Sequence, residues 1–180
     1  YLKNSVKEKD LRIWSAGCST GEEPYTLAML IDEFFGRDKA QWNTKILATD
    51  ISGRVLEKAS KAIYCNDSIK NLSPYWRLNY FKKLDSENLT LVDRIRDEVI
   101  YRRFNLMDTV FPFKRKFHAI FCRNVMIYFD SQTKSKLTEK FYNCLEYGGY
   151  LFIGHSESVN REESSFRYVM PAVYRKDLKG

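Results

Sequence analysis

The sequence predicts an α/β fold built on a mostly parallel β-sheet. The run Leu11–Ala16 is short, apolar and followed at once by a glycine, as expected of a buried strand. An amphipathic segment comes next, and the same order of strand and helix repeats from "KILAT" at residues 45–49. Strands that alternate with helices usually form parallel sheets, because each helix carries the chain back to the edge where the next strand begins.

The first predicted helix follows a glycine-bearing turn. Its apolar residues recur at i, i+3, i+4, i+7 and i+8, which places them on one face: Leu27, Leu30, Ile31, Phe34 and Phe35. Thr20 and Glu23 have the spacing of a capping box, and Pro24 suits a first helical turn. Gly36 is expected to end the helix.

The second unit begins with "KILAT" and ends its strand at Asp50. Ser52 is a candidate N-cap for a helix with these apolar positions: Val55, Leu56, Ala59, Ala62 and Ile63. The pattern then breaks, and two strand-like runs, "YFKKL" and "LTLVDRI", flank the turn-like "DSEN". We therefore predict an inserted, partly antiparallel subdomain at residues 64–98.

The main pattern resumes with two predicted strands, Val99–Phe104 and Phe117–Cys122. A helix that ends at Gly148–Gly149 is predicted by four spaced apolar residues: Leu137, Phe141, Cys144 and Leu145. The run "YLFIG" predicts a further strand, and two short β-like runs on either side of Pro171 predict antiparallel strands.

Composition restricts the class of protein. Apolar side chains make up 44% of the 180 residues, which indicates a globular chain and not a disordered one. No apolar run approaches the ~20 residues of a membrane-spanning helix, so no membrane insertion is expected. The net charge of +7 favours an acidic partner. The chain starts at Tyr1 without a methionine, which is compatible with a fragment of a longer protein.

Cysteine and histidine usage argues against a metal site. The four cysteines form no C-x-x-C pair and there are only two histidines, so no metal is expected. We predict reduced thiols and a cytoplasmic location. His118 is interpreted as structural, and no nucleophile triad or paired carboxylates can be defined.

Ligands of open parallel sheets bind outside the carboxyl ends of the strands. At the first such end, Gly17 and Gly21 lie in the join between strand and helix, and Glu22 and Glu23 begin the helix. Two carboxylates there would repel a pyrophosphate but tolerate a nucleoside that carries positive charge. The alternative is that Glu23 only caps the helix or complements its dipole.

The next strand ends offer groups suited to a nucleoside. Asp50 ends the second strand, where a carboxylate can accept both hydroxyls of a ribose. Its alternative role is to cap the following helix. Asn105 and Leu106 end the third strand, where an amide and an apolar neighbour suit the edge and face of adenine, or else form a plain turn.

The stretch "CRNVMIYFD" follows the strand Phe117–Cys122. Arg123, Asn124 and Tyr128 are its polar candidates, at the position where a reacting centre would lie. The alternative is a loop closed by a buried aromatic pair, Tyr128 and Phe129.

Four motifs occur in order along the chain: "WSAGCSTGEEPYTLAM", "ATDIS", "FHAIFCRNVMIYFD" and "YLFIGHSES". Together they resemble the CheR family of chemotaxis receptor methyltransferases, over about Leu11 to Tyr174. The resemblance implies a Rossmann-like class I methyltransferase sheet that uses S-adenosylmethionine (SAM), with a small antiparallel β-subdomain inserted at residues 64–98. Residues 1–180 would then form one catalytic domain, and the N-terminal helical domain of the family is not found in this sequence.

The resemblance also implies an activity. Members of the family methylate glutamate side chains of methyl-accepting chemotaxis receptors, giving glutamate methyl esters and S-adenosylhomocysteine. The implied partners are the receptors' cytoplasmic helices, and in some members a receptor C-terminal peptide that binds the inserted subdomain. Tyr128 would lie beside the transferable methyl group, and matching positions carry the cofactor contacts onto Glu23, Asp50, Asn105, Leu106, Arg123 and Asn124.

Two other functions stay open. The first is a cofactor- or peptide-binding module without activity, because the N-terminal motif of the family is missing. The second is a nucleic-acid methyltransferase, which shares the fold and suits the basic charge. Such enzymes tend to carry an N/D-P-P-Y/F motif, whereas this chain has "NVMIY" without a proline pair. Nucleic acid is therefore not the expected partner.

Overall fold

The structure is a computed structural model that describes residues 6–160 and 164–177. Its strands are β1 Ile13–Ala16, β2 Ile46–Asp50, β3 Ile63–Cys65, β4 Phe81–Lys83, β5 Asn88–Leu91, β6 Val99–Arg103, β7 Phe117–Cys122, β8 Leu145–Ile153, β9 Arg167–Met170 and β10 Val173–Arg175. Its α-helices are α1 Glu22–Phe35, α2 Gly53–Lys61, α3 Pro74–Tyr80, α4 Asp93–Arg96 and α5 Ser131–Cys144.

Seven strands form one sheet in the order β6-β2-β1-β7-β8-β10-β9. The five strands from β6 to β8 are parallel to their neighbours, and β10 is antiparallel to β8 and β9. A second, antiparallel sheet has the order β3-β5-β4 and lies in the chain between α2 and β6. The predicted fold class, a parallel α/β sheet with a small antiparallel insertion, is confirmed.

Trp14 is the centre of the core on one side of the main sheet. Its side chain is fully buried, and five phenylalanine rings have centroids 4.7 to 5.8 Å from its own: Phe104, Phe111, Phe113, Phe117 and Phe141. Its indole N–H donates to Oγ1 of Thr49 at 2.9 Å, which satisfies the polar group that burial would otherwise leave unpaired. This contact also joins β1 to β2 just below the edge where the candidate site residues lie.

The apolar face predicted for the first helix is partly wrong. Leu30 and Phe34 are 47% and 67% exposed, whereas the residues of α1 that turn into the core include Tyr25, Ala28 and Met29. The spacing of apolar residues in the sequence was compatible with burial of either of these two faces of the helix. Packing against the sheet selects the arc that carries the smaller residues and Tyr25, whose hydroxyl donates to the carbonyl of Ala59.

The helix predicted to reach Gly148 ends earlier than expected. The helix α5 ends at Cys144, and Leu145 is the first residue of β8, where it pairs with Phe117. The apolar spacing that suggested a longer helix therefore includes a strand residue. At the other end, Asp130 caps α5 by accepting the N–H of Thr133 at 2.8 Å.

The inserted sheet is attached to α1 and to the turn before it. The Tyr64 hydroxyl donates to the carbonyl of Thr20 at 3.0 Å, and the Trp76 indole donates to the Glu33 carboxylate at 2.9 Å. The insertion thus contacts the same join between β1 and α1 that the sequence singled out. Within the described ranges, the helices are too short or too polar to cross a membrane.

A charged cluster lies at the opposite, amino end of the strands and surrounds His118. The backbone N–H of Arg12 donates to Nδ1 of His118 at 3.0 Å, and the Arg12 guanidinium pairs with Asp10 and Glu146. Burial, followed by the charge of Arg12, lowers the pKa of His118 below its usual value, although Glu146 and Asp10 act in the other direction. His118 is therefore a neutral, structural histidine.

This arrangement predicts an acid-sensitive contribution to stability. Because the folded-state pKa of His118 is depressed, the unfolded chain takes up the proton first. The contribution of neutral His118 to the free energy of unfolding is complete above the usual histidine pKa of about 6.5. It is lost as the pH falls toward the pKa of His118 in the folded state. We expect the decrease in melting temperature between pH ~7.5 and ~5.5 to be smaller in His118→Gln than in the wild type. His155→Gln, at an exposed histidine, is the control, and an unchanged pH dependence in His118→Gln would contradict the assignment.

Candidate functional site

The carboxyl ends of four adjacent parallel strands bring most of the candidate residues to one edge of the sheet. Strand β2 lies between β6 and β1, with Asp50 opposite Arg103 and Thr49 opposite Ala16. Strand β7 lies on the other side of β1, so the loop that begins at Arg123 meets the same edge. Segments 17–23, 50, 105–106 and 123–128, which are far apart in the chain, therefore adjoin one another in space.

The join between β1 and α1 is held by backbone hydrogen bonds to β2. The N–H groups of Gly17 and Cys18 both donate to the carbonyl of Thr49, at 2.8 and 2.9 Å. The predicted capping box is not formed, because Gly21 occupies the N-cap position and the Thr20 hydroxyl donates to Glu22 instead. Another local contact has replaced the predicted one, and Glu23 is available for another role.

Asp50 uses both of its carboxylate oxygens on the backbone. One accepts the N–H of Ser19 and the other accepts the N–H of Ser52, each at 3.0 Å. Ser52, not Asp50, stands at the N-cap of α2, so the capping alternative for Asp50 is not observed. Since a carboxylate has about four acceptor sites, the half-buried Asp50 keeps the capacity to accept two further hydroxyl donors.

Glu23 lies in the first turn of α1 and points back toward the sheet. One carboxylate oxygen accepts the Ser15 hydroxyl at 2.8 Å, and the other lies 3.5 Å from Nη1 of Arg123. Burial raises the pKa of the Glu23 carboxyl, and the contacts with Ser15 and Arg123 oppose that effect. The structure therefore joins two of the predicted residues, 100 positions apart, into an acid–guanidinium pair. Ser15, which the sequence analysis did not select, orients the acid.

The loop after β7 carries three of the candidate residues. Asn124 has a left-handed backbone with φ of 59°, and a 3-10 turn at Met126–Tyr128 follows it. The Tyr128 side chain is 81% exposed, so the alternative of a buried aromatic pair does not hold for it. The N–H groups of Asn124 and Ile127 donate to Glu157, which comes from the segment after β8. Sequence reasoning missed Glu157, whose only signal was its place in the motif "GHSES" beyond a strand end.

Asn105 and Leu106 form a turn after β6. The Asn105 side-chain oxygen accepts the N–H of Met107 at 3.0 Å, and its carbonyl accepts the N–H of Asp108 at 3.1 Å. The turn role that was left open for Asn105 is thus present. Leu106 is buried in the core cluster around Trp14, so its side chain is committed to packing. Across residues 6–160 and 164–177, no three potential ligands among His, Cys, Asp and Glu are grouped as a metal site would require.

Comparison with known proteins gives one consistent family match. The family described as "CheR methyltransferase, SAM binding domain" matches residues 1–174. The "Chemotaxis protein methyltransferase" of Borreliella burgdorferi is 45% identical over 171 residues, which are 95% of this chain and 60% of the relative. The "Chemotaxis protein methyltransferase" of Escherichia coli is 40% identical over 92% of this chain and 58% of that protein. The chain thus spans about three fifths of these relatives.

The join also predicts a sensitive position. Gly17 has φ of +81°, and a Cβ placed on it would overlap a methyl group of Val125. We expect Gly17→Ala to lower the free energy of unfolding by about 1–3 kcal/mol, through backbone strain and this overlap. Urea denaturation measures the loss. The double variant Gly17→Ala/Val125→Ala should recover only the part due to overlap, and undiminished stability in Gly17→Ala would show that the join tolerates a side chain.

Proposed function

The chain belongs to the CheR methyltransferase family, and we propose that it is the SAM-binding catalytic domain of a protein-glutamate O-methyltransferase. Its substrates would be glutamate side chains on methyl-accepting chemotaxis receptors, and its products glutamate methyl esters and S-adenosylhomocysteine. The observation that carries the proposal is the acidic strand edge, where Asp50 and the pair formed by Glu23 and Arg123 adjoin a loop that ends in the exposed Tyr128.

The groups at this edge fit SAM by their chemistry. Asp50 retains acceptor capacity for the ribose hydroxyls, as described above. Glu23 and Arg123 provide one anion and one cation, which match the ammonium and carboxylate of the methionine moiety. Glu22 and Glu23 at the start of α1 disfavour a pyrophosphate, since like charges repel strongly where water is partly excluded. Asn105 would complete the site on the side of the base together with the backbone of Leu106, whose side chain packs in the core.

The proposed reaction requires little acid–base catalysis by the protein. A glutamate side chain with a pKa of about 4.3 is already ionised at pH 7, so no general base is needed. When bound, SAM supplies a methyl group on a positively charged sulfur, which a carboxylate can attack. The chain must hold the reactants in line and remove water from the carboxylate. Tyr128 would serve the first task, because its exposed hydroxyl can donate a hydrogen bond to the incoming carboxylate.

We propose the partners from the net charge of the chain and from its inserted antiparallel sheet. The net charge of +7 would attract acidic receptor helices over long range. A receptor C-terminal peptide would bind the inserted sheet, whose two outer strands, β3 and β4, each pair only with β5 among the residues that the structure describes. A groove of about 510 Å³ beside it is lined by apolar and polar side chains that include Ile69, Leu78 and Arg77. The proposed location is the cytoplasm, where the methylated receptor helices would lie.

The ribose assignment of Asp50 gives a quantitative prediction. We expect Asp50→Ala to weaken binding of S-adenosylhomocysteine by about 1–3 kcal/mol, because hydrogen bonds to a charged group are lost. Calorimetry on the 180-residue chain measures this. Glu57→Gln, which removes an exposed carboxylate from the following helix, is the charge-matched control. Equal affinities in Asp50→Ala and the wild type would reject the assignment.

Methyl transfer tests the function itself. The assay combines SAM labelled on its methyl group, receptor-containing membranes and the full-length enzyme that includes this domain. We expect label to appear on the receptors and to be released by base, as a methyl ester would be. Tyr128→Phe should reduce kcat, since it removes the hydroxyl proposed to orient the carboxylate. Absence of receptor labelling by an enzyme that binds S-adenosylhomocysteine would favour a binding module without catalysis. A kcat unchanged in Tyr128→Phe would remove Tyr128 from the mechanism while leaving the function intact.

A further inference from the structure

One carboxylate organises the loop that carries Arg123, Asn124 and Tyr128. Oε2 of Glu157 accepts the N–H of Asn124 at 3.0 Å and that of Gly154 at 2.6 Å, and Oε1 accepts the N–H of Ile127 at 3.1 Å. Two of these donors belong to the loop after β7, and the third, Gly154, follows directly after β8. A single side chain therefore joins the carboxyl ends of two adjacent strands.

The loop has a physical need for such a partner. Asn124 has φ of 59°, a conformation that costs a non-glycine residue roughly 1 kcal/mol. Ile127 lies in the first turn of a 3-10 helix, where the backbone N–H groups have no partner within the helix, and the residue at its N-cap provides no side-chain bond. Glu157 satisfies both N–H groups, and ionised acceptors form stronger hydrogen bonds than neutral ones.

Close packing at Gly154 shows that the arrangement is tight. A Cβ at this position would lie 2.6 Å from Oδ1 of Asn124 and 2.7 Å from Oε2 of Glu157. The end of β8 can therefore approach the loop only because residue 154 has no side chain. The acid itself is held in place, since the N–H of Glu157 donates to the carbonyl of Gly154 at 3.0 Å.

We infer that Glu157 is a positioning residue of the site: its carboxylate holds the loop in the conformation that places Arg123 opposite Glu23 and Tyr128 at the rim of the cleft. This inference rests on the proposed function, because the loop matters to a ligand only if the strand edge binds SAM. Glu157 is not a proton carrier here. Its two oxygens are engaged by three backbone donors, and an ionised glutamate substrate requires no base.

The test uses the 180-residue chain with Glu157→Gln, which keeps the shape and removes the charge, and Glu157→Asp, which keeps the charge and shortens the reach. Glu139→Gln, at an exposed acid of α5, is the control for net charge. We expect Glu157→Gln to weaken S-adenosylhomocysteine binding roughly tenfold, the change expected from losing about one charged hydrogen bond. Amide exchange at Asn124 and Ile127, followed by NMR, should become faster, while Glu139→Gln changes neither measurement.

The outcomes separate positioning from a purely structural role. A structural role would lower the melting temperature of Glu157→Gln but leave its affinity unchanged well below that temperature, and this result would overturn the inference. If Glu157→Gln does not fold, the Glu157→Asp variant decides. Amide exchange at Asn124 and Ile127 that is as slow in Glu157→Asp as in the wild type would overturn the inference. If the wild-type chain does not bind S-adenosylhomocysteine, the cofactor assignment fails, and the exchange rates alone decide the role of Glu157.

Discussion

The carbonyl of Thr49 accepts two consecutive backbone N–H groups, those of Gly17 and Cys18, and these bonds determine where the chain leaves β1. The turn that follows brings the α-carbon of Gly17 against Val125 in the loop after β7. Three neighbouring strand ends are thereby fixed relative to one another. Asp50 follows Thr49 directly, Glu23 begins the helix beyond the turn, and Arg123 precedes Val125. The relative positions of these candidate binding residues depend on this backbone contact more than on any single side chain.

The carboxylates of the site are compensated mainly by backbone N–H groups. Asp50 accepts two of them and Glu157 accepts three, whereas Glu23 is held by Ser15 and Arg123. Several N–H groups that a phosphate could use at this edge already donate to the protein, namely those of Gly17, Cys18, Ser19 and Gly21. The edge instead presents acceptors and one guanidinium. This electrostatic character suits a nucleoside with a cationic sulfur and a zwitterionic tail.

The insertion and the proposed cofactor site share α1 as a common support. Tyr64 donates to Thr20 just before this helix, and Tyr80 donates to the carbonyl of Met29 within it, at 3.4 Å. Trp76 contacts its last turn through Glu33. The position of the antiparallel sheet is therefore set relative to the first turn of α1, where Glu23 lies. A peptide seated on the insertion would be held at a defined distance from the acidic edge.

The sequence by itself determined most of the strands, the α/β class and the family, although it placed Ile63 of β3 and the first residues of β8 in helices. These features depend on local periodicity and on motifs that are contiguous in the chain. Only the tertiary structure decided which arc of α1 is buried, so that Leu30 and Phe34 are exposed where core positions were predicted. In the folded chain Glu23 accepts the Ser15 hydroxyl and forms no capping box. Glu157 accepts the N–H of Ile127, 30 residues away in the chain. The physical reason is that a side chain's partner is set by which strand ends become neighbours, and strand order depends on contacts that no local pattern encodes.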